Sequence, residues 1–115
     1  YVAICGFCTG GTWAWVGASV LKFDAAVVFY GSQVIEHNHR SPKCPTEMHY
    51  GDEDFVVPIN IIERIRSDHF DVPCHIYEGC NHAFFNPDQK FYNANAADLM
   101  WNRSLRFLRE QLSKP

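Results

Sequence analysis

Along this chain, short apolar runs alternate with longer stretches whose apolar residues recur at helical spacing. Val2-Ala3-Ile4-Cys5-Gly6-Phe7 has no polar lead-in and reads as a strand buried on both faces. Thr9 to Leu21 follows, where Gly10, Gly11, Trp13, Trp15, Val16, Ala18 and Val20 give the small, apolar surface of a helix packed closely on a sheet. Asp24 turns the chain, and Ala25 to Tyr30 is a second strand closed by Gly31 and Ser32. Thr46 to Tyr50 is a third, stopped by Gly51, and Pro73 to Tyr77 a fourth. Between these two, Pro58 opens a helix that runs to about Phe70, with Ile61, Ile62 and Ile65 turned inward. From about Ala94, the residues Ala97, Met100, Trp101, Leu105, Leu108 and Leu112 mark a last amphipathic helix. The stretches 33–45 and 79–90 show neither period and read as loops.

Strands alternating with helices at these intervals imply βαβ units with right-handed crossovers, hence an α/β fold in one domain spanning 1–115. The first strand begins almost at Tyr1, and a parallel strand left at an edge offers unpaired backbone groups to a neighbour. Either residues precede Tyr1 or another chain covers that edge. Self-association through the sheet edge is the expectation if none precede.

Composition narrows the partners. The chain is 47% apolar and 20% charged, with a net charge of -3, so it has no broad positive field for nucleic acid, and a small molecule is the expected partner. No apolar run approaches the ~18 residues of a membrane span. Five cysteines, an odd number with no framework spacing, point to free thiols in a reducing compartment and therefore to the cytoplasm.

One of those cysteines sits in a reactive setting. Gly6-Phe7-Cys8-Thr9-Gly10-Gly11 lies between an apolar strand and a helix, which is the G-x-nucleophile-x-G elbow with sulfur in place of a serine oxygen. There the helix N-terminus favours a thiolate, and the Thr9 N–H is positioned to hold an oxyanion. A thiol needs a base from elsewhere in the fold. Two later segments leave strands on the same side of the sheet: Gly51-Asp52-Glu53-Asp54 and Glu78-Gly79-Cys80-Asn81-His82. The chain order nucleophile, acid, histidine is that of the α/β-hydrolases. His37, His39, His49, His69 and His75 lack a comparable setting.

Together with Phe29-Tyr30-Gly31, His49 to Asp54 leading to Val57-Pro58, and Tyr77 to Phe84, these motifs resemble the dienelactone hydrolase family across nearly the whole chain. The resemblance implies the C-terminal half of an α/β-hydrolase fold, a mostly parallel sheet flanked by helices. It implies Cys8, Asp54 and His82 as catalytic residues, Asp54 rather than Asp52 being the acid, with Thr9 in the oxyanion hole. Tyr30, Phe84 and Asn86 are implied to contact substrate, an ester or lactone, and no cofactor or metal is implied. The sequence departs from the family at Asn86, where a carboxylate-binding arginine is expected.

Three other readings compete with this one. Cys5 and Cys8 have C-x-x-C redox spacing, but Cys5 falls inside the first strand. Cys44 with His37 and His39 lacks the paired spacing of a closed zinc site. The main alternative to an enzyme is a truncated, non-catalytic α/β-hydrolase module acting in binding or assembly.

Overall fold

Each of the four short apolar runs is too brief for a stable helix, and each becomes a strand of one parallel sheet. The computed structural model describes residues 1–113. Its strands are β1 (Ala3–Phe7), β2 (Ala25–Phe29), β3 (Thr46–Gly51) and β4 (Cys74–Tyr77), in spatial order β1-β2-β3-β4. The helices are α1 (Thr9–Val20), α2 (Ile59–Asp68) and α3 (Ala94–Leu112). Helices α1 and α2 are crossovers, whereas the β2-to-β3 connection holds only a single 3-10 turn at Val34–His37. That turn lies inside the stretch expected to be irregular, and Val34 fixes it by filling a wholly buried site.

Alternate residues of a strand face opposite sides, and the register carries that rule across the sheet. Gly6 abuts the start of α1. Phe7, one residue on, points the other way, and in register across the strands Phe7, Phe29, His49 and His75 form a row of stacked rings with centroids 4.2, 5.4 and 5.2 Å apart. Helix α3 packs over this row, where Ser104 meets His49 and Trp101 meets Phe85. Trp15 of α1 meets His69, just beyond α2, so those two helices share the opposite layer. The core between the layers holds Trp15, Val28, Met48, Tyr50, Ile62, Ile65, Phe84 and Met100.

All five residues of β2 are buried, as a central parallel strand requires. In β1, by contrast, Cys5 and Phe7 are exposed and Ala3 and Ile4 only half-buried. Among the described residues β1 pairs with β2 alone, so it is the open edge expected from its place at the start of the chain's strands. Among the described residues, no helix is long and apolar enough to cross a membrane.

Candidate active site

Three strand ends converge on one spot. Cys8 links β1 to α1 with φ 57° and ψ -118°, a backbone state that costs a residue with a side chain roughly 1–3 kcal/mol. Its surroundings over-determine it. The Cys8 N–H donates to Phe29 O at 3.0 Å, and its carbonyl accepts from Gly11, Thr12 and Ser32 at 3.0, 3.3 and 3.2 Å. The turn also requires Gly6, since a Cβ there would lie 1.9 Å from the Gly10 carbonyl oxygen. Tyr30 (φ 35°) and Ala83 (φ 60°) are the other non-glycine residues with positive φ among those described, and both flank the same spot.

The acid and the imidazole arrive on the loops after β3 and β4. Nε2 of His82 lies 3.0 Å from the Cys8 sulfur, and Nδ1 lies 2.8 Å from Asp54 Oδ2. The second oxygen of Asp54 accepts the N–H groups of Val56 and Val57 at 2.7 and 2.9 Å, which fixes the carboxylate. Its side chain is fully buried. Gly51 lets the histidine loop approach β3, because a Cβ there would lie 2.1 Å from Cys80 O.

Burial pushes the Cys8 thiol up. The hydrogen bond and charge of His82, joined by the N–H and hydroxyl of Thr9, outweigh it and hold the thiol below its ordinary value. Burial likewise pushes His82 down, but its hydrogen bonds to Asp54 and Cys8 prevail and raise it. Both shifts favour thiolate beside imidazolium. The other thiols move the opposite way: burial raises Cys5, Cys44 and Cys80, and pushes Cys74 up to about 12. All five are free.

The structure thus brings Cys8, Thr9, Asp54 and His82 together. Asp52 does something else: its Oδ1 accepts the Gly79 N–H at 2.8 Å, tying the acid loop to the histidine loop. Tyr30 sets its ring edge against His82 at 5.1 Å. With Phe7, Phe85, Asn86 and Pro87 it lines a cavity of about 340 Å³. Phe84, expected among the substrate contacts, is instead wholly buried between Tyr30 and Tyr77. The turn through Ala83 gives the wall position to Phe85.

Asn81 was missed. Its Oδ1 accepts the N–H groups of Phe55 and His82 at 2.9 and 2.7 Å, stapling the two loops beside the imidazole. An Asx residue directly before the histidine was the available signal. No group of His, Cys, Asp and Glu among the described residues is arranged to hold a metal ion, and Cys44, His37 and His39 form none.

A parallel sheet with helices on both faces, and a thiol, imidazole and carboxylate at its strand ends, defines an α/β-hydrolase. The chain belongs to the dienelactone hydrolase family, whose model matches residues 1–112. Carboxymethylenebutenolidase from Pseudomonas putida is 32% identical over 118 residues, covering 98% of this chain and 50% of that protein. A protein of Saccharolobus solfataricus is 36% identical over 109 residues, covering 90% of this chain and 42% of its own length. Among solved structures, MGS-M1, an α/β-hydrolase enzyme from a Medee basin deep-sea metagenome library, shares the fold. Its TM-score is 0.75 at 19% identity, over 97% of this chain and 55% of that one. The chain spans about half the length of the curated relatives it matches.

Proposed function

We propose that this chain supplies the acyl-transfer chemistry of an ester or lactone hydrolase, with Cys8 as nucleophile, His82 as general base and acid, and Asp54 as the group that orients His82. One observation carries the proposal: the run Cys8 Sγ, His82 Nε2, His82 Nδ1, Asp54 Oδ2 is closed by contacts of 3.0 and 2.8 Å. Membership in a family with lactone-hydrolase relatives favours this over a non-catalytic module.

The Cys8 thiolate attacks the substrate carbonyl, and the Thr9 N–H stabilises the oxyanion that forms. Collapse of the tetrahedral intermediate breaks the bond to the leaving alkoxide, which takes the proton held on His82 Nε2 and leaves a thioester on Cys8. His82 then removes a proton from water, which attacks the thioester. The acid departs, and the sulfur returns to its paired state. Asp54 keeps Nδ1 protonated so that Nε2 faces the sulfur. These steps call for no metal or organic cofactor, and five free thiols suit a reducing compartment such as the cytoplasm.

The test is incubation with p-nitrophenyl acetate, with the adduct located by mass spectrometry in the wild type and in Cys8→Ala. A transient acetyl group on the peptide carrying Cys8, and loss of turnover in the variant, are expected. Equal turnover by the two proteins would overturn the assignment.

A further inference from the structure

The cavity beside the thiol carries information about what it admits. Its wall consists of three aromatic side chains, Phe7, Tyr30 and Phe85, with Pro87 and the neutral amide of Asn86. Phe7 directly precedes Cys8 and stacks on Phe85 at 5.3 Å, while Tyr30 touches the His82 ring, so the cavity adjoins the turn that carries the sulfur. Its volume, about 340 Å³, is at the small end for ligand sites and suits an aryl ring or a short branched alkyl group.

None of the described residues that line it carries a positive charge. The segments 1–21, 23–39, 44–63 and 67–89 contain no Lys or Arg, and they supply every strand-end loop around the site. Two of the chain's cations lie over other rings: Lys90 over the Phe91 ring at 5.6 Å and Arg103 over the Tyr77 ring at 5.4 Å. Those same loops carry Asp52, Glu53, Asp54, Glu78 and Asp88. A carboxylate entering the cavity would lose water, meet an acidic surround and find no counter-ion among the residues that line it. Burial, then Cys8 and Asp54, push the Tyr30 phenol up to about 12, so it stays neutral and adds no negative charge of its own.

We propose that this cavity selects an uncharged aryl or branched alkyl group of the substrate and discriminates against substrates bearing a carboxylate there. The proposal deepens, and rests on, the hydrolase function above, but it is measurable without turnover. In Cys8→Ala, phenylacetamide and phenylacetate are compared as ligands by amide chemical shifts. Perturbation of Phe7, Phe85 and Asn86, with the amide binding at least tenfold more tightly at neutral pH, is expected. Asn86→Lys places a cation at an exposed rim position without disturbing the core, and it should narrow or reverse the preference. Phenylacetate binding as tightly as the amide, or neither probe perturbing those residues, would overturn the proposal. In the wild type, p-nitrophenyl phenylacetate should turn over at least tenfold faster than the p-nitrophenyl hemisuccinate, and equal rates would overturn the selectivity alone. Absence of Cys8-dependent turnover, with the binding preference intact, would overturn the hydrolase function and leave the selectivity standing.

Discussion

His82, on the loop after β4, and His49, within β3, each have both ring nitrogens engaged, one of them by a carboxylate. His82 bridges Asp54 and Cys8, and His49 bridges Glu47 at 2.7 Å and the Tyr77 hydroxyl at 2.8 Å, with Ser104 Oγ at 3.2 Å from its Nε2. On a list of contacts the second set reads like a serine triad. Its setting says otherwise. His49 is fully buried and Ser104 nearly so, and the serine hydroxyl is spent on the Met100 carbonyl of its own helix at 2.8 Å. Burial lowers the His49 pKa despite Glu47, whereas that of His82 is raised. A histidine beside a carboxylate is therefore not the mark of a reactive site. What separates the two is the other nitrogen: in His82 it meets a thiol on a strained turn beside an open cavity.

The sharpest way to break this contrast is to remove each ring in turn. His82→Ala takes away the proton carrier and should reduce kcat/KM for p-nitrophenyl esters, per folded protein, at least about a thousandfold, although it also leaves the buried Asp54 Oδ2 without its partner and so lowers the melting temperature. His49→Ala leaves Glu47 Oε1 without its partner, removes one partner of the Tyr77 hydroxyl and opens a void in the ring row, so it should cost about 3 kcal/mol of stability. Turnover per titratable thiol in the folded protein should change by less than about threefold. Thermal unfolding and active-thiol-normalised kinetics on the pair check both halves. A large loss of turnover in folded His49→Ala would erase the distinction.

A middle-sized effect concerns charge. Because the fold lowers the Cys8 pKa, a larger share of its sulfur is thiolate at any given pH, and the acid limb of its alkylation profile lies below that of a free cysteine. Burial raises the other four thiols, so iodoacetamide near neutral pH should label Cys8 first. In His82→Ala the largest cause of the lowering is gone, and the limb should move up, with slower alkylation at fixed pH near neutrality. Peptide-level mass spectrometry across a pH series measures this. An unmoved limb would show that the imidazole does not set the thiol.

Much of this was legible in the sequence because the physics was local. Parallel strands appear as short apolar runs, and β2, β3 and β4 fall within two residues of where the runs place them. The elbow is legible for the same reason, since Gly6 and Cys8 sit two residues apart in the turn that demands them. What escaped notice depends on pairing between distant segments. Phe84 and Phe85 are adjacent and alike, and only the positive φ of Ala83 decides which is buried and which lines the cavity. The role of His49 needed three elements at once, β3, β4 and α3.

The smallest effect separates the strain the reactive turn requires from glycine content that it does not. The sequence pattern treats Gly6 and Gly10 as equal halves of the elbow, yet a Cβ on Gly6 would strike backbone whereas one on Gly10 would meet nothing within 4 Å. Gly10 lies in the first turn of α1 and lacks a positive φ, so alanine fits there and the unfolded chain loses freedom. Gly10→Ala should stabilise the protein by about 0.5 kcal/mol, a rise of roughly 2 °C in melting temperature, with the alkylation profile of Cys8 unchanged. The corresponding site beside His49 has no such turn, so the same gain without a change in thiol chemistry would locate the reactivity in the Cys8 backbone geometry and the His82 contact. A shifted thiol profile in Gly10→Ala would mean that the start of the helix, and not only those two features, sets the reactivity of the sulfur.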